Sequence, residues 1–295
     1  MSIFEFLLTS WWGNSILYHN QSIRQIGELG DNNTMNANRY PNLSKDELYL
    51  ISRAEFERQK LITSEFANRL FSSPKRTADI LDTLARKGRL LQLQRGKYLL
   101  VPIKAPNQQW APNEFMVAAL WMGDIPYYIG YFTMYNYWGL TEQIPQTVFI
   151  LNLNKNAKKT IGDVKYEAFK IDKKKYFGVQ NIKIEDMDIC ISDKERTLVD
   201  FVYNPIGSFS NVANVLKENL AEIDLNRFIS YLSRFPVVSV RKRAGFFLKE
   251  IGCKDTALER LRKSIGRKDT YVVLDPTNKS RKGKINKEWK IIVNR

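Results

Sequence analysis

One stretch of this chain carries more local structural signals than any other, and it reads Leu61-Ile-Thr-Ser-Glu-Phe-Ala-Asn-Arg-Leu-Phe-Ser-Ser-Pro-Lys-Arg-Thr-Ala-Asp-Ile-Leu-Asp-Thr-Leu-Ala-Arg-Lys-Gly-Arg-Leu-Leu-Gln-Leu-Gln-Arg-Gly-Lys-Tyr98. Its pattern predicts a short helix, a tight turn, a second helix that begins with basic residues, and a β-hairpin with a basic tip. This order of elements is typical of a winged helix-turn-helix, which places its second helix in the major groove of DNA.

Serine and threonine mark where both helices begin. Thr63 or Ser64 can cap the short helix, because a side-chain oxygen at that position accepts a free backbone N–H. Ser73 followed by Pro74 predicts the start of the second helix, with proline at its first position. Gly88 is a typical C-terminal stop. The apolar stripe predicted for the second helix consists of Ala78, Leu81, Leu84 and Ala85.

Two extended segments follow the second helix and flank Arg95-Gly96, a pair of residues that suits a two-residue hairpin turn. A further helix is predicted upstream, over residues 44–59. We therefore expect an α+β protein in which residues 44–104 form a winged helix-turn-helix domain. Residues 105–295 are predicted to form a mixed α+β C-terminal domain.

The predicted elements of the C-terminal domain follow no repeat and no doubly wound pattern. Asn113 is a candidate cap for the first of its helices. The predicted helices cover residues 113–121, 130–138, 193–203, 210–220, 225–235, 240–251 and 256–265. The predicted strands cover residues 147–153, 164–171, 182–184, 188–191, 271–274 and 289–293.

Residues 1–43 precede these domains, and residues 1–34 differ from the remainder in composition. Residues 1–34 contain one arginine, three acidic residues and His19, the single histidine of the chain. Two interpretations stay open. Residues 1–43 form an N-terminal arm, or translation begins at Met35 and the preceding leader is an artefact of gene annotation.

The formal net charge of +15 is unevenly distributed. Residues 44–102 hold twelve basic and seven acidic residues, residues 103–240 hold fifteen of each, and residues 241–295 hold seventeen basic and six acidic residues. Two basic regions around a neutral middle favour contact along nucleic acid. No apolar run is long enough to span a membrane, and the two cysteines suit a reducing compartment, so a cytoplasmic location is expected.

The predicted module also indicates which side chains contact DNA. The first residues of a recognition helix reach base edges, and a wing tip reaches phosphates or the minor groove. The predicted DNA-binding residues are Ser73, Lys75, Arg76, Thr77, Asp79, Arg86, Arg95 and Lys97. The C-terminal charge excess predicts a second basic surface, for which a solvated helix face is the alternative. Its predicted members are Arg241, Lys242, Arg260, Arg262 and Lys263.

Several short motifs occur in a specific order over about residues 44–295. They are Arg95-Gly-Lys-Tyr98, Gly139-Leu-Thr-Glu-Gln-Ile-Pro145, Ile191-Ser-Asp-Lys-Glu-Arg-Thr-Leu-Val-Asp200 with Asn204-Pro205, Arg243-Ala-Gly-Phe-Phe-Leu248, and a strand from Trp289 to Asn294. With these motifs the chain resembles the AbiE-type abortive-infection antitoxins (AbiEi), which are also transcriptional regulators. It departs from the family at Tyr131-Phe-Thr133, where a serine-rich helix start is common.

The resemblance implies a repressor that binds double-stranded DNA at the operator of its own toxin–antitoxin operon, in phage defence. It also implies that the protein counteracts a nucleotidyltransferase-like toxin without forming a stable complex with it.

An alternative function is a metal-dependent nuclease or another nucleic-acid enzyme with a winged-helix domain. The residues that suggest it are Asp188, Asp193, Lys194 and Glu195. A structural interpretation accounts for the same segment, because Ser192 and Glu195 fit a capping box while Arg196 and Asp200 can pair on one helix face. There is no histidine after His19 and no phosphate-binding glycine loop. No catalytic residue, cofactor or metal is therefore predicted.

Overall fold

The computed structural model describes residues 42–103, 105, 110–207, 209, 211–266 and 270–294. Ser44–Arg295 form one compact unit, whose described residues combine helices with three sheets, which is an α+β fold. The prediction of an N-terminal arm or leader falls on residues 1–43, nearly all of which lie outside the described residues. Within the described residues, no helix is both long enough and apolar enough to cross a membrane.

The helices and strands are numbered in chain order over the described residues. The helices are α1 (Lys45–Phe56), α2 (Ser64–Asn68), α3 (Pro74–Arg86), α4 (Glu114–Met122), α5 (Tyr131–Tyr137), α6 (Lys194–Tyr203), α7 (Asn211–Asn219), α8 (Leu225–Arg234), α9 (Val238–Glu250) and α10 (Asp255–Ile265). The strands are β1 (Leu61–Thr63), β2 (Leu90–Gln94), β3 (Lys97–Leu100), β4 (Tyr127–Ile129), β5 (Thr147–Asn152), β6 (Ala157–Ile161), β7 (Val164–Lys170), β8 (Val179–Ile184), β9 (Met187–Ser192), β10 (Val272–Val273), β11 (Lys284–Asn286) and β12 (Ile291–Val293).

The first part of the unit consists of α1, α2, α3 and a three-stranded sheet of order β1-β3-β2. Thr63 caps α2, because its Oγ1 accepts from the N–H of Phe66 over 3.1 Å. Ser73 caps α3, and Pro74 occupies its first turn as predicted. The hairpin between β2 and β3 turns at Arg95 and Gly96, with Gln94 opposite Lys97.

The largest sheet has six strands in the order β6-β7-β5-β4-β9-β8. β5 runs parallel to β7 and β4 runs parallel to β9, while the other pairs are antiparallel. One face of this sheet packs against α4 through a cluster that includes Val117 and Ile150. Leu93 and Leu99 of the β2–β3 hairpin belong to the same cluster. The hairpin and the six-stranded sheet therefore share one hydrophobic core.

Helices α6 to α10 form a second hydrophobic cluster together with the small sheet of order β10-β12-β11. α9 is its central helix and contacts α6, α7, α8, α10 and β12. Trp289 is fully buried in this cluster. A Cβ added at Gly245 of α9 would lie 2.0 Å from Cζ3 of Trp289, so only glycine admits the indole at this point.

Candidate nucleic-acid interface

Helix α3 is held by one buried face and presents the other to solvent. Four of its side chains are buried, and they are Thr77, Ile80, Leu81 and Leu84. They pack beside α1 and α2, whose own buried residues include Leu50 and Phe66. The predicted stripe was right for Leu81 and Leu84 but wrong for Ala78, which is exposed. The true stripe is thus rotated by one residue at the start of the helix.

This rotation removes Thr77 from the predicted set of base-reading residues. The side chain of Thr77 is 1% exposed, and its Oγ1 donates to the carbonyl oxygen of Ser73 over 3.0 Å. A buried hydroxyl with an internal acceptor gains nothing by turning outward. The structure therefore corrects the prediction: Thr77 is a packing residue of the helix start, and Ala78 takes its place on the exposed surface.

The exposed first turn of α3 carries two cations with different environments. Lys75 is exposed, and no acidic partner of its side chain is found in the described part of the chain. Arg76 is also exposed, but its guanidinium binds Asp46 of α1, with Nε 2.9 Å from Oδ2. Any other acceptor for the Arg76 guanidinium must therefore compete with the Asp46 carboxylate.

The remaining α3 candidates have distinct local roles. The Oγ of Ser73 accepts from the N–H of Arg76 over 3.4 Å, so this hydroxyl is engaged as a helix cap. Asp79 is exposed one turn further along the helix. Arg86 lies near the end of α3 and pairs with Asp82 over 3.0 Å, both side chains being 71% exposed. An ion pair this exposed contributes little to stability and is easily exchanged.

The tip of the hairpin is anchored to the start of α2. The N–H of Ser64 donates to the carbonyl oxygen of Gly96 over 2.9 Å. Gly96 has φ +71°, a conformation that favours glycine. Arg95 is exposed beside it. The predicted basic tip is thus present at Arg95, on a turn whose backbone is fixed.

Lys97 has a different position from Arg95, although the sequence grouped them at one tip. It is only partly exposed and lines a pocket of about 490 Å³. The other residues that line this pocket are Gln94, Met122, Gly123, Asp124, Ile125, Pro126, Leu153 and Asn154. The pocket therefore lies between the hairpin and the loop that joins α4 to β4.

The second predicted basic surface is corrected at two of its five residues. Lys242 is 1% exposed, and its Nζ donates to the carbonyl oxygen of Thr270. Arg241 donates from Nε to Phe235 O over 2.7 Å and from Nη1 to Ser264 O over 2.6 Å. Arg241 thus stabilises the C-terminal ends of α8 and α10, whose carbonyl oxygens attract positive charge, and Lys242 binds the segment before β10. They do not form an exposed surface.

The other three predicted members lie on α10 and are more accessible. Arg262 pairs with Glu288 and lies over the ring of Trp289, 5.5 Å from its centroid. Lys263 pairs with Glu259 over 2.7 Å. Arg260 is exposed. Only part of the predicted surface is therefore present on α10.

A cluster of exposed cations that the prediction did not single out lies in the segment before β12, which consists of loops around the short strand β11. Its five members are Lys279, Arg281, Lys282, Lys284 and Lys287, and all are exposed. The loop is braced by Asn294, whose Nδ2 donates to Asp275 O over 2.9 Å and to Ser280 O over 2.8 Å. The high density of lysine and arginine in this segment is the sequence signal from which the cluster could have been predicted. We call these five residues the C-terminal basic loop.

The segment that suggested an enzyme is structural in its contacts, and the predicted capping box is wrong by one residue. Asp193 caps α6, because its Oδ1 accepts from the N–H of Arg196 over 2.7 Å. Ser192 ends β9, and its buried Oγ lies 2.7 Å from Oγ1 of Thr197. Glu195 instead accepts from the N–H of Asp224 over 2.9 Å.

The predicted pair of Arg196 and Asp200 is confirmed. Nη2 and Oδ1 are 3.0 Å apart, and both side chains are 1% exposed. Arg196 also donates to the Tyr128 hydroxyl over 3.0 Å. Burial raises the pKa of Asp200 to about 6, although Arg196 and Lys175 oppose this rise. Within the described part of the chain, no three His, Cys, Asp or Glu residues are grouped as metal ligands.

Comparisons with known proteins provide a structural relative. No family model matches this chain, and no curated protein matches it. Among solved structures, the crystal structure of the RV2827C protein from Mycobacterium tuberculosis is similar with a TM-score of 0.59 and 15% sequence identity. The match covers 85% of this chain and 92% of that chain. A similarity at this identity shows the α+β fold alone.

Proposed function

We propose that this protein is a winged-helix transcriptional repressor that binds double-stranded DNA, and that it is the antitoxin of an AbiE-type toxin–antitoxin operon. The observation that carries the DNA-binding part is the arrangement of α2, α3 and the β2–β3 hairpin. A short capped helix leads through a turn into α3, whose first turn is exposed, and an anchored hairpin follows. In this proposal α3 is the recognition helix and the hairpin is the wing.

The charges of this region support the same proposal. Lys75 and Arg95 present exposed cations on two different elements, which suits contact with phosphates on either side of a groove. Arg76 follows Lys75 and can read guanine bidentately once it leaves Asp46. Asp79 can accept from cytosine at the same groove. The DNA-binding residues of the proposal are therefore Ser73, Lys75, Arg76, Asp79, Arg86 and Arg95, and Lys97 contributes from the side of the hairpin.

The antitoxin part rests on the resemblance of residues 44–295 to the AbiEi family. In that role the protein counteracts a nucleotidyltransferase-like toxin encoded beside it, without a stable complex between the two proteins. It represses the shared operon through the winged helix. No cofactor and no metal are needed for either role.

A binding assay tests the repressor function. The full chain is titrated against duplex DNA from upstream of its own gene and against random duplex of equal length, at two salt concentrations. We expect tighter binding to the upstream duplex and a steep loss of affinity with salt. Lys75→Ala and Arg95→Ala should weaken binding, while Lys217→Ala, which removes an exposed charge from α7, serves as the matched control. Equal affinity for both duplexes refutes the repressor.

A separate assay tests the antitoxin function. The gene adjacent to this one is expressed alone and together with the full chain, and growth is measured. We expect a nucleotidyltransferase-like neighbour that arrests growth alone and is harmless with this protein. A neighbour of another class, or arrest that persists with the protein, refutes the antitoxin role and leaves the DNA-binding result unaffected.

A further inference from the structure

The two faces of the six-stranded sheet are covered to different extents at its β6 end. Side chains of β7 alternate, so Tyr166 and Ala168 are buried in the cluster below α4 while Lys165, Glu167 and Phe169 lie on the opposite face. On that opposite face α5 packs against β5. The side chains of β7 and β6 on this face, which lie beyond β5 in the sheet, are more exposed. We call the exposed side chains of β5, β7 and β6 on this face the outer sheet face.

Two phenylalanines lie next to each other on the outer sheet face. Phe149 of β5 and Phe169 of β7 are both partly exposed, and their rings are stacked with centroids 6.1 Å apart and planes inclined by 19°. The ring of Tyr131 meets Phe169 edge-on, at 6.2 Å and 65°. Side chains of this kind are normally turned into a core, so a partly exposed stacked pair offers two flat apolar surfaces to a ligand.

Lysines lie on the same sheet face and in the turn that follows β7. Lys165 lies on the same face and is exposed, and Lys158 of β6 lies opposite Glu167, with which it pairs over 2.8 Å. Lys173 and Lys174, in the short turn that follows β7, are also exposed, whereas Lys170 alternates onto the face of Tyr166 and Ala168. The segment 154–175 holds eight lysines and three acidic residues. The middle of the chain is neutral overall, but this segment of it is strongly basic.

Several of these lysines have structural contacts and are excluded from the binding surface. Lys159 donates to the carbonyl oxygen of Leu93 over 2.8 Å, and Lys175 donates to the hydroxyl of Tyr203 over 3.1 Å. Lys155 lies over the ring of Trp121. The exposed positive charge on and beside this face thus comes mainly from Lys165, Lys173 and Lys174. The charge of Glu167 is compensated by Lys158.

We propose that the outer sheet face binds single-stranded nucleic acid, with bases stacked on Phe149 and Phe169 and phosphates held by the neighbouring lysines. Partly exposed aromatic rings flanked by cations on a sheet surface match the chemistry of an unpaired strand, whose bases expose their π-faces. A duplex cannot use the rings, because its bases are already stacked on one another. A second copy of the same face is disfavoured because it would place lysines against lysines. This site is distinct from the proposed duplex-binding surface at α3.

The proposal is tested first with the wild-type full chain. Fluorescence anisotropy is measured with labelled oligo-U RNA and oligo-dT DNA of about 20 nucleotides, long enough to cover a typical single-strand site, and with a random duplex as competitor. We expect saturable binding of a single strand that the duplex displaces poorly. Ultraviolet crosslinking followed by peptide mass spectrometry should place the crosslinks in β5 and β7. Absence of single-strand binding, or crosslinks confined to α3 and the hairpin, overturns the proposal.

Variants separate stacking from simple charge attraction. Phe149→Leu and Phe169→Leu keep apolar volume at each position but remove the ring, and together they should weaken single-strand binding about tenfold or more. Lys165→Gln with Lys173→Gln should reduce the slope of log affinity against log salt by about 1.4 if both contact phosphate. Circular dichroism checks that each variant is folded. Unchanged affinity in a folded Phe149→Leu/Phe169→Leu variant refutes the stacking site.

Arg95→Ala is the matched control at the other surface. It should weaken binding to operator duplex and leave single-strand affinity unchanged, and the phenylalanine variants should do the reverse. If Arg95→Ala reduces single-strand binding as much as the phenylalanine variants do, the single strand merely occupies the duplex surface and the outer sheet face is not a site. Loss of operator binding alone would contradict the proposed repressor and leave this inference standing.

Discussion

The N–H of Ser64 donates to the carbonyl oxygen of Gly96 over 2.9 Å, and the same two residues approach so closely that a Cβ at Gly96 would lie 2.8 Å from Oγ of Ser64. The first residue of α2 thus fixes the turn of the β2–β3 hairpin. In the proposed function, this contact sets the position of Arg95 relative to α3. The turn is therefore sensitive to a single methyl group.

Gly96→Ala should destabilise the fold, because it combines a left-handed backbone with this close contact. The backbone term is about 1–2 kcal/mol in the free energy of unfolding. Gly139→Ala is the control, since Gly139 has the same φ of +71° and no atom within 4 Å of its Cβ position. Chemical denaturation should show a larger loss for Gly96→Ala than for Gly139→Ala, and Ser64→Ala should recover part of the difference. Equal losses would mean that the contact has no energetic weight.

Operator recognition should depend on Arg76, which must leave the Asp46 carboxylate to bind a base. If Arg76 reads guanine bidentately, Arg76→Ala should cost about 1–3 kcal/mol of binding free energy on the operator and much less on random duplex. Asp46→Asn removes the competing carboxylate and should strengthen DNA binding. Titrations of both variants on both duplexes measure these effects. Equal weakening of Arg76→Ala on operator and random DNA would assign Arg76 to the phosphates and remove its base-reading role.

Local signals in the sequence were sufficient to locate most helices. The caps Thr63, Ser73 and Asn113 lie where the sequence predicted them, because capping depends on residues only two or three positions apart. The long strands β5 and β7 were predicted for a similar reason, since their apolar residues are contiguous or alternate. The proposed recognition helix was therefore accessible from the sequence.

Features that depend on distant partners were not predictable. β4 and β6 were missed, because β4 has only three residues and β6 begins with Ala157 and two lysines. Arg241 and Lys242 were predicted to belong to a second basic surface, yet α9, which carries them and Arg243, is surrounded by other elements. Each of these cations donates to a carbonyl oxygen that the fold brings close. Burial of a charge of this kind depends on tertiary contacts that no local pattern encodes.

The ion pair of Arg196 and Asp200 should make stability depend on pH. Burial raises the pKa of Asp200 to about 6 from its usual 3.8, so the folded state binds a proton more readily than the unfolded state. Stability contributed by this group is therefore greatest below the unfolded pKa and is lost as pH rises through about 6. Relative to Asp200→Asn, the wild type should gain stability between pH 6 and pH 4.

Thermal unfolding of both proteins at several pH values measures this difference. The neutral amide of Asp200→Asn mimics the protonated carboxyl, so the stability of this variant relative to wild type should be higher at pH 7 than at pH 4. Asp188→Asn changes an exposed carboxylate and serves as the control. A constant difference between wild type and Asp200→Asn from pH 7 to pH 4 would contradict the raised pKa.

The C-terminal basic loop should contribute to duplex affinity through charge. Its five exposed cations lie on a segment that hydrogen bonds from Asn294 hold in place. Contact with phosphate should therefore cost little conformational entropy. Replacing Arg281, Lys282 and Lys284 by Gln should lower the slope of log affinity against log salt by about 2.7 units if all three contact phosphate, and affinity should fall on every sequence alike. Arg260→Gln tests α10 for comparison, since Arg260 is exposed outside the loop. An unchanged slope in the triple variant, with folding intact, would show that the loop is a solvated surface outside the DNA footprint.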